Sequence, residues 1–175
     1  VVKPARIAAA NFSVAPRRVV VLLDMSGSMG EDRYSQKWEL AREALADLMA
    51  RMPDDTPVAL VIFSNKVEQI FDFSQSRSAI AKWLKNGPSG REYTKGATVL
   101  FDATIAGLKL LDPFQPGDSL IAITDGMENH SRSSKKSTEA TLLKSGVRLF
   151  TVLFDDPWPG ESEPEAKEAF RGMTA

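Results

Sequence analysis

The chain has 175 residues, 43% hydrophobic and 26% charged, enough for one globular domain with a sizeable core but thin for two. With 22 basic against 23 acidic side chains the net charge is −1, so no basic field exists to draw in a phosphate backbone, and nucleic acid is not an expected partner. The absence of cysteine excludes disulfide scaffolds and thiolate sites, and the single histidine, His130, excludes a multi-histidine zinc or iron centre.

Residues 1–16 carry Pro4 and no sustained period, and read as an N-terminal arm with a short strand around 11–14. The domain is expected over 17–175. No apolar run in it approaches the ~18 residues that cross a bilayer, so this segment is not expected to insert into a membrane. The chain opens at Val1 without a signal-peptide pattern and reads as a piece of a longer polypeptide. Val19-Val20-Val21-Leu22-Leu23 is a continuous aliphatic run, as expected of a strand buried on both faces of a parallel sheet. It stops at Asp24, and a polar, Gly-containing loop follows. Trp38, Ala41, Leu45, Leu48 and Met52 recur at helical spacing, which predicts an amphipathic helix over 36–52, ended by the segment from Pro53 to Pro57. Residues 58–63 form a second apolar strand. Ser64-Asn65 signals a turn, and 67–73 alternates apolar with polar residues, as a half-exposed antiparallel edge strand does.

Ser76 is placed to cap a short helix reaching Lys85. A Gly-rich loop over 86–97 leads to a helix over 100–111, stopped before Pro113. Residues 119–124 are a further strand, followed by Asp125-Gly126. A helix over 137–145 has Gly146 past its end, where a left-handed residue is wanted. Residues 147–154 are the last clear strand, and Ser162 with Glu165 has capping-box spacing for a final helix. Strands alternating with helices predict a doubly wound α/β fold: a mostly parallel sheet, one antiparallel edge strand, and helices on both faces.

Three features fall at strand ends or in a loop. Asp24-Met25-Ser26-Gly27-Ser28 follows the first strand, Thr98 follows the Gly-rich loop, and Asp125 follows the fourth strand. Ligands of open parallel sheets sit at the carboxyl ends of the strands, where strand order reverses. If the first and fourth strands are neighbours at that reversal, Asp24 and Asp125 face one another, and Ser26 and Ser28, two apart in an extended loop, share a side. Two carboxylates and three hydroxyls make an all-oxygen site, suited to Mg²⁺, Mn²⁺ or Ca²⁺. The two aspartates balance a divalent charge. A small cation keeps waters in its shell, and an incoming carboxylate is the natural replacement for one of them.

Asp-x-Ser-x-Ser, the downstream Gly96-Ala97-Thr98-Val99-Leu100-Phe101-Asp102-Ala103 and the strand ending in Thr124-Asp125-Gly126 together resemble the von Willebrand factor type A family and its metal-ion-dependent adhesion site. The resemblance runs in the right order from Arg17 onward. It implies a Rossmann-like fold with strand order 3-2-1-4-5 and a sixth strand beyond the last, before which this chain stops. It also implies that Ser26, Ser28 and Thr98 ligate the metal directly, that Asp24 and Asp125 act mainly through water, and that Asp102 is structural. Ala97 departs from the second glycine of many relatives. The function implied is divalent-metal-dependent adhesion or interaction within a larger, bacterial polypeptide, with an Asp or Glu of a protein partner completing the coordination sphere. The domain is expected to be monomeric. Family members occur inside and outside cells, and an exported, cell-surface or periplasmic setting is favoured.

Each motif also has an ordinary explanation when taken alone. Asp24, Ser26 and Ser28 fit a turn, Asp125-Gly126 fits another, and Thr98 fits a helix N-cap. A serine hydrolase is disfavoured because Ser26 to Gly30 lacks the first glycine of a nucleophile elbow, and His130 reads as a solvated loop residue. The best enzyme alternative is an Mg²⁺-assisted phosphohydrolase; a metal-free interaction scaffold is the other. Arg132, Lys135 and Lys136 form a small basic cluster, solvated or drawing an acidic partner. Trp158, Arg91 and Tyr93 border the predicted metal side, whereas Trp38 and Trp83 read as core. Crowding of Asp24 against Asp125 without metal predicts that Asp125→Ala loses the cation yet leaves the metal-free fold unharmed or slightly firmer.

Overall fold

The computed structural model describes residues 17–30, 37–87, 96–154, 170 and 173. Five strands form one sheet in the order β3-β2-β1-β4-β5: β1 (Val19–Asp24), β2 (Val58–Phe63), β3 (Val67–Phe71), β4 (Ser119–Thr124) and β5 (Arg148–Leu153). All neighbours pair in parallel except β2 with β3, so the alternating segment is the antiparallel edge strand expected from its pattern. Four helices complete the described fold: α1 (Lys37–Arg51), α2 (Arg77–Asn86), α3 (Leu100–Leu110) and α4 (Lys135–Ser145).

Every residue of β1 and β2 is buried, because side chains alternating across the sheet meet a helix layer on either face. Val20 and Leu22 of β1 join Ala59, Val61, Leu120 and Ala122 against α3 and Leu142 of α4. Val19, Val21 and Leu23 point the other way, with Leu60 and Ile62, towards Trp38, Ala41 and Leu45 of α1 and Ile80 and Leu84 of α2. Each large aliphatic side chain so enclosed contributes about 1.5–3 kcal/mol. Gly107 lets α3 lie close to the sheet, since a Cβ there would come within 2.9 Å of both Leu22 and Leu120. Trp38 is buried and Trp83 half-buried, its ring edge-to-face with Phe71 at 6.1 Å.

Local signals set the helix ends. Ser76 accepts from the Ala79 N–H, and Gly146 ends α4 in the left-handed region at φ 69°. The α4 helix begins two residues earlier than its apolar spacing suggests. Ser134 and Ser137 form a reciprocal capping box there, with serine where Glu or Gln usually marks one. β3 ends at Phe71 rather than Phe73, and β5 covers Arg148–Leu153. The predicted arm, the short strand within it, Trp158, Arg91, Tyr93 and most of the final helix lie outside the described residues; Phe170 and Met173 pack in the α3-side core.

Candidate metal centre at the sheet switch point

From β1 the chain moves outward to β2 and β3, and the later strands β4 and β5 lie on the opposite side. The crevice therefore opens between the carboxyl ends of β1 and β4. The pairing Leu23↔Ile123 sets Asp24 beside Thr124 and puts Asp125 at the start of the next loop.

Asp24 is fully buried. Its Oδ2 accepts from the Thr124 hydroxyl at 2.5 Å and its Oδ1 from the Ser26 N–H at 2.8 Å. Burial, then the neighbouring Asp125 charge, push its carboxyl up from 3.8 to about 7 despite those bonds. Beyond Asp24 the chain stays beside β2 for one more bond, Met25 N–H to Phe63 O, and then makes a tight helical turn over Gly27–Met29. Met29 anchors that turn in the core, while Ser28 is exposed and its Oγ lies 3.2 Å from the buried Ser26 Oγ.

The Thr98 loop is tied to this turn by the Gly27 N–H to Gly96 O bond of 3.2 Å, with Gly96 at φ 86°. Only glycine adopts that backbone cheaply. Thr98 donates its N–H to Asn129 Oδ1 at 2.9 Å, and its carbonyl accepts from the Asn129 and His130 N–H groups. Thr98 is 2% exposed, and its hydroxyl makes no hydrogen bond to the described residues. The N-cap of α3 is Val99, without a side-chain cap bond, so Thr98 is not the cap that its position before a helix suggested.

The third loop turns at Gly126, φ 82°. Asp125 Oδ1 accepts from the Met127 N–H at 3.3 Å, and Oδ2 lies 3.4 Å from the Lys37 ammonium, with both side chains buried. The fold thus brings Asp24, Ser26, Ser28, Thr98 and Asp125 to one end of the sheet. Asp102 stands apart from them. Desolvation raises its carboxyl, but the N–H of Arg132 and both donors of Ser133 outweigh that, holding it below the ordinary value. Its role is to fasten α3 to the segment before α4. His130 is exposed, as expected of a solvated loop residue.

Sequence reasoning missed four residues. Thr124 and Lys37 each bond a site aspartate across 100 and 88 residues of chain, a distance no local pattern spans. Asn129 clamps Thr98. Glu128 accepts from the N–H groups of Phe101, His130 and Ser131, satisfying an orphan donor at the start of α3 and placing a negative charge at its positive end. A run of Asp125, Glu128 and Asn129 after a strand end was the available signal.

Among the described residues no group of three or more His, Cys, Asp or Glu side chains is placed to hold a metal. Among the described residues, the donors at this end of the sheet are two carboxylates with hydroxyls. That set fits a hard divalent ion: it is all oxygen, burial and the Asp125 charge push the Asp24 carboxyl upward, and the Thr98 hydroxyl makes no hydrogen bond to the described residues.

Comparison with known proteins agrees with this architecture. No curated protein matches the chain. An aerotolerance-related membrane protein from Bacteroides fragilis NCTC 9343, solved with multiple mutations to serines, superposes with a TM-score of 0.63 at 16% identity. The match covers 89% of this chain and 87% of that one. The conserved hypothetical protein BatB from Bacteroides thetaiotaomicron gives a TM-score of 0.58 at 20% identity, over 84% of this chain and 74% of that one. At these identities the likeness establishes the fold. The von Willebrand factor type A domain model matches residues 19–128, from the first strand through the third loop of the crevice. The chain belongs to the von Willebrand factor type A domain family.

Proposed function

We propose that the domain binds a protein partner through one divalent cation, Mg²⁺ or else Mn²⁺ or Ca²⁺, held by Ser26, Ser28 and Thr98 with Asp24 and Asp125. A partner Asp or Glu completes the coordination. The observation that carries this reading is Asp24: a buried carboxylate pushed to about 7 by burial and by Asp125, beside hydroxyls suited to a hard ion. A cation would supply the missing charge, and an open coordination position would favour an anionic oxygen. The similarity to Bacteroides proteins supports a bacterial setting for such a module.

Calorimetric titration with Mg²⁺ tests the reading. One site is expected, lost in Asp24→Asn and weakened in Thr98→Ala. Turnover of a phosphoester that requires Mg²⁺ and vanishes in Asp24→Asn would instead assign a hydrolase. The Lys37–Asp125 contact favours one second reading, a metal-free interaction scaffold, because it supplies a positive charge without any cation. That reading requires no heat of Mg²⁺ binding and partner capture indifferent to chelators.

A further inference from the structure

The segment from Thr124 to His130 leaves β4 and bonds to both other loops of the crevice. At its start the buried Thr124 hydroxyl accepts from the Gly126 N–H at 3.0 Å, so its single proton is directed at Asp24 Oδ2, 2.5 Å away. The β-branched side chain has little freedom at χ1, which fixes that direction further. Further along, the Asn129 side-chain carbonyl accepts from the Thr98 N–H at 2.9 Å. The N–H groups of Asn129 and His130 return bonds of 3.2 Å and 3.1 Å to the Thr98 carbonyl, so this segment holds both backbone polar groups of Thr98. Asp125 lies between the two attachments, where Gly126 at φ 82° turns the chain. One short stretch therefore sets where Asp24, Thr98 and Asp125 stand relative to one another.

We propose that Thr124 and Asn129 are positioning residues that lock Asp24 and Thr98 into one frame with Asp125, and that this frame favours Mg²⁺ over Ca²⁺. The inference rests on the metal-dependent reading above. Partners that orient metal-binding groups change affinity by about 10–100-fold when removed, although they never touch the ion. Mg²⁺ demands near-octahedral geometry at short bond lengths, so a small displacement of its ligands is costly. Ca²⁺ accepts more ligands, longer bonds and irregular geometry. Loosening the frame therefore weakens Mg²⁺ more than Ca²⁺. A hydroxyl or amide that served only to satisfy nearby backbone would, when removed, lower stability and weaken both ions alike.

The test compares the intact chain with Thr124→Val, which keeps the shape and loses the hydroxyl, with Thr124→Ser, which keeps the hydroxyl, and with Asn129→Ala. Mg²⁺ and Ca²⁺ are titrated calorimetrically into each, melting is followed, and exchange of the Thr98 amide is read by NMR. Thr124→Val and Asn129→Ala are expected to bind Mg²⁺ about tenfold more weakly or worse, with Ca²⁺ affinity changed by about threefold or less. The ratio of the two affinities thus falls in both. Thr124→Ser should keep the ratio of the parent, and Asn129→Ala should speed exchange at Thr98. Equal losses for the two ions, unchanged Mg²⁺ affinity in either deletion, or a Thr124→Ser that behaves like Thr124→Val would overturn the positioning role while leaving the cation site standing. Binding of neither ion by the parent would overturn the metal-dependent reading and this inference with it. Should Thr124→Val fail to fold, Asn129→Ala decides alone, since Asn129 is exposed and lies outside the core.

Discussion

Strands β1 and β4 lie side by side, and each end of the pair buries an aspartate in a very different setting. At the amino ends Asp118, 2% exposed, receives the Arg18 guanidinium at 3.1 Å and 2.6 Å and the Gln115 N–H at 2.8 Å. Arg18 also bonds the carbonyls of Leu111 and Pro113, joining the end of α3 to the sheet. Charge and hydrogen bonds close there within the protein. At the carboxyl ends Asp24 has hydroxyl and amide partners but faces a second carboxylate, and its proton affinity rises. A buried acid whose charge is cancelled internally is part of the architecture; one left short of positive charge is equipped to receive it from outside.

The largest expected effect breaks the closed end. Arg18→Ala leaves Asp118 buried without its cation and should cost about 3 kcal/mol in urea unfolding, the penalty of halving an enclosed pair. Mg²⁺ should not change that loss, because the site lies at the other end of the strands.

Acidity sharpens the contrast at the open end. The Asp24 carboxyl holds its proton more tightly folded, at about 7, than unfolded, near 3.8. Its contribution to stability is therefore full below pH ~4 and is lost as pH rises through ~7, a decline of roughly 2–4 kcal/mol for the metal-free protein. Asp24→Asn should flatten that decline in denaturation curves taken across the range. Saturating Mg²⁺ should oppose it, since the cation competes with the proton.

Asp125→Ala sets two effects against each other. It relieves Asp24 of a like charge and deprives buried Lys37 of an acidic contact. Stability without metal is expected to move by about 1 kcal/mol or less while Mg²⁺ binding disappears; a loss above about 3 kcal/mol would make Asp125 structural. The Lys37 contact thus tempers the gain expected from repulsion alone. The smallest effect lies far from both ends. At Gly146 the space for a Cβ is open but φ is 69°, so Gly146→Ala should cost about 1 kcal/mol from backbone strain only, with cation affinity untouched.

The sheet was legible because its signal is local. Five aliphatic residues in β1, Val19 to Leu23, and all six of β2 read as apolar runs, and the alternation over 67–73 identified the edge strand, which spans Val67–Phe71. The serine capping box of α4 escaped notice because its third residue is Ser137 instead of an acid or amide. In the crevice, Asp24, Ser26, Ser28 and Asp125 stood out as polar residues after strand ends and Thr98 as one after a Gly-rich loop, and the fold brings these segments to one end of the sheet. The contacts that give the crevice its electrostatics were not legible. Thr124 reads as the last residue of a strand and Lys37 as an ordinary helix start, and each matters only through a partner supplied by tertiary packing.

The most direct measurement of the central claim is anomalous diffraction from crystals soaked in manganese. A peak between Asp24, Ser26, Ser28, Thr98 and Asp125, with the hydroxyl oxygens of Ser26, Ser28 and Thr98 in the first shell, is the expected result. No peak at millimolar manganese, with all three loops ordered and the crevice unblocked, would contradict the account and leave the motif as architecture.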